Sequence, residues 1–249
     1  MFQFPVTPTS YPPLQTDQPL VPVAGPHTQQ LWEAALPLFR DIMAIPFITQ
    51  LGDGTLAAPE YRYYLQQDNH YLETYINGLR SLGRNAPDAS TAAFWNDAAA
   101  LSEGEVDSHN SELEGGSVAE EVAEEQGYPS PSNLAYQAFL RDACATQPYA
   151  IGASAMLPCF WTYPEVALRL LPAYRAWVAD HPGEQHPYEE WIMLYSGDWF
   201  VEPCAQAIEL VEEALSQATP EDAAVAVGEF CIGTLHEVMF FDQSRRHFS

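Results

Sequence analysis

From residue 28 onward, apolar residues return at steps of three and four: Leu31, Ala34, Ala35, Leu38 and Ile42 share one face and predict a helix ending near Met43. Residues 45–51 predict a short helical turn, stopped by Gly52-Asp53-Gly54. Ala58-Pro59-Glu60 suits a first turn, and the helix it opens runs through Tyr64, Asp68, Tyr71 and Tyr75 to about Leu82. After the turn at Ala86-Pro87-Asp88, residues 91–114 predict another helix, broken at Gly115-Gly116. A short acidic helical segment is expected over residues 117–125, as a solvated face. Ser132-Asn133 can cap a helix over residues 134–146.

In residues 157–165, Pro158 is expected to begin or kink a helix that ends near Leu171-Pro172. His186-Pro187-Tyr188 starts a helix through Trp191 and Tyr195, residues 199–216 form a longer one, and Thr219-Pro220-Glu221-Asp222 caps a last helix reaching about Gln243. Sustained alternation of β-branched residues is missing, and so is an internal repeat. The pattern therefore predicts an all-α bundle of about eight helices.

Residues 1–27 stand apart, because seven prolines between Pro5 and Pro26 exclude a helix or a central strand. They predict an extended arm, with Phe2, Phe4, Tyr11 and Leu20 available as anchors; residues 28–249 form the helical domain. Its 34 acidic residues face nine basic ones, all arginine, for a formal net charge of -25. Such a field repels phosphate backbones and anionic lipid, which argues against nucleic acid and membrane surfaces as partners. Abundant carboxylate without lysine suggests a halophilic, high-salt interior where screening relieves self-repulsion. Cys144, Cys159, Cys204 and Cys231 are widely spaced and predict four thiols rather than a zinc site or a disulfide framework. An apolar run of membrane-spanning length and a signal peptide are both wanting, so a cytoplasmic location is expected.

Three residues carry candidate chemistry. Cys159 follows a proline in a helical run, with Tyr163 one turn on; at a helix start, unpaired amides and the dipole would favour its thiolate. The alternative is a small buried hydrophobe. Asp68 sits on the aromatic stripe of Tyr64, Tyr71 and Tyr75, where a buried carboxylate must be hydrogen-bonded, as a functional group or as a structural one. Glu237 lies among apolar neighbours, and burial would lift its pKa toward neutrality and suit it to proton transfer. Gly233, one turn earlier, would leave room for a ligand. Tyr136 and Tyr195 are ordinarily core tyrosines with a smaller expectation of ligand contact. His109, Glu112, His236 and Glu237 could ligate a metal, yet the Glu-x-x-His pairs of carboxylate-bridged metal bundles do not occur.

Taken in order, these pieces resemble the TenA family of aminopyrimidine aminohydrolases, also called thiaminase II. The likeness rests on Pro46-Phe47 with Asp53-Gly54-Thr55-Leu56, Gln67-Asp68 with Tyr71, Pro131-Ser132 ahead of Tyr136, residues 157–163 with Glu165, His186-Pro187-Tyr188 with Trp191 and Tyr195, and Glu237 ahead of Phe240. It covers about residues 28–243. The resemblance implies a heme oxygenase-like multi-helix bundle, a homotetramer, and no metal or organic cofactor. It implies hydrolysis of a small-molecule aminopyrimidine at its 5-methylene substituent, in thiamin salvage. It also implies Cys159 as nucleophile, Glu237 as acid and base, Asp68 on the ring nitrogen and amine, and Tyr71, Tyr136, Tyr163 and Tyr195 as stacking or orienting groups. Departures are Ile45 in place of a frequent histidine, Phe241 in place of a frequent tryptophan, and Pro164 inside the cysteine helix. Two other readings are a di-iron oxygenase on the same bundle and a non-catalytic pyrimidine-binding or regulatory protein.

Overall fold

The structure is a computed structural model that describes residues 16–115 and 127–248; the acidic segment expected over residues 117–125 and the arm before residue 16 lie outside the described residues. The described residues form ten helices: α1 (Pro26–Met43), α2 (Pro46–Asp53), α3 (Ala58–Asn85), α4 (Ala89–Gly115), α5 (Pro131–Thr146), α6 (Tyr149–Asp180), α7 (Glu189–Ser196), α8 (Asp198–Gln217), α9 (Pro220–Phe241) and α10 (Gln243–Phe248). Among the described residues there is no strand, in keeping with the all-α expectation.

The starts follow from local chemistry. Proline stands in the first turn of α1, α2, α3, α5 and α9, where its missing N–H is no loss. Ser130, rather than Ser132-Asn133, caps α5 by accepting from the Asn133 amide. Asp88 caps α4 with bonds from the Ser90 and Thr91 amides. The cap of α1 comes from a distant helix: Glu212 of α8 accepts from the amides of His27 and Thr28 and from the Thr28 hydroxyl. Gly54, at φ 76°, ends α2 in the left-handed conformation that glycine adopts without strain.

The axis of the bundle is α6, packed by α9, α8, α7, α5, α2 and α3. Residues 150–158 and 160–167 are all buried, so this part of the helix is enclosed on every side, in keeping with a sequence in which Ser154, Thr162 and Glu165 are the polar residues among apolar ones. It corrects two expectations. Pro158, Pro164 and Pro172 all lie inside one helix that runs on to Asp180 instead of ending near Pro172. Cys159 is consequently in the helix interior, and the first-turn argument for its thiolate does not apply. Tertiary packing on all faces outweighs the lost backbone bonds.

The segment before α1 is held in place. Val21 is fully buried; its amide donates to Glu165 Oε1 at 2.6 Å and its carbonyl accepts from the Trp161 indole at 3.2 Å. Arg169, paired with Glu165 at 3.1 Å, donates to the carbonyls of Thr16 and Gln18. Leu20, expected as an anchor, is exposed, and the buried residue is its neighbour. The apolar α9 contains an 18-residue window of mean hydropathy 1.4, enough by length and composition to cross a membrane, contrary to the sequence reading. That apolarity matches its packing against α6, α1 and α5.

Candidate active site

One helix pair sets the geometry of the site. α3 and α5 are joined by a ladder of side-chain amides: Gln67 Oε1 accepts from the Ser130 amide at 2.8 Å and from Asn133 Nδ2 at 3.0 Å. Asn133 Oδ1 accepts from Gln137, whose own oxygen accepts from the Thr74 hydroxyl. Buried amides of this kind fix register, because every slip would leave a polar group unpaired. The register brings Tyr136 of α5 against Tyr71 of α3, with ring centroids 4.8 Å apart. Sequence reasoning did not single out Asn133 or Gln137 for this role; the i, i+4 spacing of two amides on a largely apolar helix was the available signal.

A cavity of about 450 Å³ opens between α3, α4, α6, α7 and α8. Asp68, Tyr71, Cys159, Tyr163 and Tyr195 line it together. Five of the residues singled out in the sequence thus meet on one wall, although 127 positions separate the first from the last. Its apolar lining includes Leu72, Leu101, Phe160, Leu194, Trp199 and Phe200, none of which carried a functional signal in the sequence. A second cavity of about 210 Å³, between the ends of α4, α6, α8 and α9, holds no cysteine.

Tyr136 and Glu237 do not line the cavity; they lie one layer behind it. Tyr136 donates to Glu237 Oε1 at 2.6 Å, with both residues buried. Burial pushes the Glu237 carboxyl up to about 8, against the opposing effect of the Tyr136 hydrogen bond. The Tyr71 hydroxyl is buried without a hydrogen bond of normal geometry, and burial, then the nearby Cys159, Tyr136 and Glu237, keep it protonated. It therefore links the cavity wall to the layer behind. Tyr163 packs on Tyr195 at 4.9 Å, and burial holds its phenol neutral as well. Cys159 is half-buried, and none of the four cysteines is in a disulfide.

Gly233 leaves no room for a ligand, contrary to the expectation. A Cβ there would stand 2.8 Å from Pro158 Cγ and 3.0 Å from the Ala155 carbonyl, so this glycine lets α9 lie directly against α6. That contact carries Glu237 and Phe240 toward the tyrosines. Among the described residues no three His, Cys, Asp or Glu side chains come together to hold a metal ion; the side chains of His109 and Glu112 are outside those described.

A helical bundle that sets a thiol and a carboxylate on the wall of an aromatic-lined cavity has the shape and chemistry to take a flat, polar-edged small molecule. Residues 32–247 match the model of the TENA/THI-4/PQQC family, and the chain belongs to that family. It is 37% identical over 233 residues to the thiamine biosynthesis multifunctional protein ThiED of Corynebacterium efficiens, an alignment covering 93% of this chain and 30% of that protein. The chain thus spans about a third of the length of these multifunctional relatives. The aminopyrimidine aminohydrolase of Bacillus subtilis is 31% identical over 205 residues, covering 81% of this chain and 82% of that one. Among solved structures, a TenA homologue from P. horikoshii OT3 superposes with a TM-score of 0.76 at 22% identity, covering 88% of this chain and 98% of that one. A domain from Shewanella denitrificans described as having a heme oxygenase-like fold gives 0.67 at 15% identity, covering 88% and 92%.

Proposed function

We propose that the chain is an aminopyrimidine aminohydrolase of the thiaminase II type, which converts 4-amino-5-aminomethyl-2-methylpyrimidine and water to the 5-hydroxymethyl compound and ammonia. The observation that carries this reading is the joint presence of Cys159 and Asp68 on one aromatic wall, with the protonated Glu237 in the layer behind. Family membership and the 31% identical Bacillus subtilis aminohydrolase support it. The role assignments, a homotetrameric assembly, a cytoplasmic location and action in thiamin salvage without a metal or organic cofactor belong to the same proposal. So does the division into an arm over residues 1–27 and a catalytic domain over residues 28–249.

In this mechanism Asp68 accepts from the exocyclic amine and orients the ring between Tyr71, Tyr163 and Tyr195. The Cys159 sulfur bonds to the unsubstituted ring carbon, the thiol proton passes to the adjacent ring nitrogen, and aromaticity is lost. Electrons from the 4-amino group then expel the amine at the methylene, which leaves as ammonia with a proton that Glu237 supplies through the Tyr71 hydroxyl on the cavity wall. Water adds its oxygen to the exocyclic methylene, and its proton returns to Glu237 by the same route. Finally the sulfur–carbon bond breaks, the ring proton returns to sulfur and the pyrimidine is restored. Ammonia release from this substrate, with the hydroxymethyl product identified by mass spectrometry, tests the reading; binding without turnover would replace it with a ligand-binding function.

A further inference from the structure

Glu237 and His236, consecutive on α9, both engage Tyr136 of α5, and in different ways. Glu237 takes the hydroxyl at 2.6 Å, while the His236 imidazole lies flat on the phenol ring, with centroids 4.9 Å apart and planes 8° from parallel. Phe139, one turn along α5, packs tilted against the same imidazole at 5.2 Å. Tyr71 lies against Tyr136 at 4.8 Å and Phe139 more distantly at 6.4 Å, so His236 supplies the one ring that stacks nearly parallel on the phenol. His236 Nδ1 is buried and has no hydrogen-bond partner, so the contribution of this side chain is its ring face rather than a proton. Burial lowers its pKa, which keeps the ring neutral at working pH.

We infer that His236 is a positioning residue for the proposed reaction: its ring face holds Tyr136 in the plane from which the hydroxyl meets the Glu237 carboxylate. The consequence for chemistry is indirect. An aromatic contact of this geometry is favourable but soft, whereas a hydrogen bond weakens steeply when its angle is lost. Removing the ring therefore lets the phenol tilt and weakens the bond to Glu237. Since that bond stabilises the carboxylate, Glu237 titrates higher without it. The other titratable groups facing the pair are Tyr71 on α3 and Cys159 and Tyr163 on α6, none of which touches His236 in a ring contact.

The inference rests on the aminohydrolase reading for its kinetic consequence but not for its titration. The experiment compares His236→Ala, which removes the face, with His236→Phe, which keeps it. Carbon-13 NMR of labelled glutamate follows the Glu237 carboxyl, and ammonia release gives kcat and KM across pH. For His236→Ala, the expected results are a Glu237 titration moved up by about half a pH unit or more and kcat lowered roughly fivefold to tenfold at unchanged KM. His236→Phe restores both. A native titration in His236→Ala overturns the inference, and so does a phenylalanine variant that behaves like the alanine one. Should His236→Ala not fold, His236→Leu supplies similar volume without an aromatic face and carries the same expectations. If the native chain releases no ammonia, the functional reading fails while the titration still decides the positioning role.

Discussion

Tyr136 donates its hydroxyl to the buried carboxylate of Glu237 across α5 and α9, at 2.6 Å, and this is the one hydrogen bond that reaches the proposed acid from another helix among the described residues. It offsets part of a desolvation that lifts Glu237 to about 8, so the acid is mostly protonated at neutral pH. In Tyr136→Phe the offset is lost and Glu237 rises further. The expected outcome is a kcat lowered on the order of tenfold, with the alkaline fall of activity displaced to higher pH. A pH–rate profile of the variant beside the native chain checks both.

Gly233 is predicted to be intolerant of even one methyl group. An added Cβ would meet Pro158 Cγ at 2.8 Å and the Ala155 carbonyl at 3.0 Å, neither of which can swing aside. Gly233→Ala should cost about 1–3 kcal/mol by overpacking, despite the better helix propensity of alanine. Urea unfolding measures the loss, and a stabilised variant would show that α9 is not fixed against α6.

Stability should fall as the solution is made alkaline. Burial raises Glu165 to about 7 and Glu237 to about 8, both above the unfolded value near 4.5. Between those values the folded state binds more protons than the unfolded one, so stability is lost as pH rises through about 5 to 8. The buried His186 and the half-buried His236 act in the opposite sense, with pKa values lowered, and weaken the fold as pH drops below about 6.5. Thermal melts across this range should show a maximum on the mildly acidic side. In Glu165→Gln the alkaline slope should flatten; an unchanged slope would mean that Glu165 does not titrate there.

How much of this was legible in the chain depends on the range of the forces involved. Helix starts were readable at Pro46, Pro59 and Pro220, because caps and first-turn prolines act within four residues. The cap of α1 was not, since it is supplied by Glu212 from 184 residues away. The continuity of α6 through three prolines was illegible for the same reason: the packing that overrides them comes from six other helices. At the site, the residue types of Asp68, Cys159 and Glu237 were anomalous enough to stand out individually. That Glu237 sits behind the wall and not on it, and that His236 braces Tyr136, are facts of interhelix register, which residue types alone do not carry. Val21 illustrates the limit, an ordinary valine in a proline-rich stretch whose amide turns out to satisfy a buried glutamate.

Cys159 is the nucleophile on which the proposed reaction depends, and the most direct measurement is the rate of ammonia release from 4-amino-5-aminomethyl-2-methylpyrimidine by Cys159→Ser. Serine keeps the size and the hydrogen-bonding capacity of the side chain but is a far poorer nucleophile near neutral pH. The prediction is a kcat lowered by a factor on the order of a thousand or more, with the substrate still bound through Asp68 and the aromatic wall. A serine variant that turns over at the native rate would contradict it.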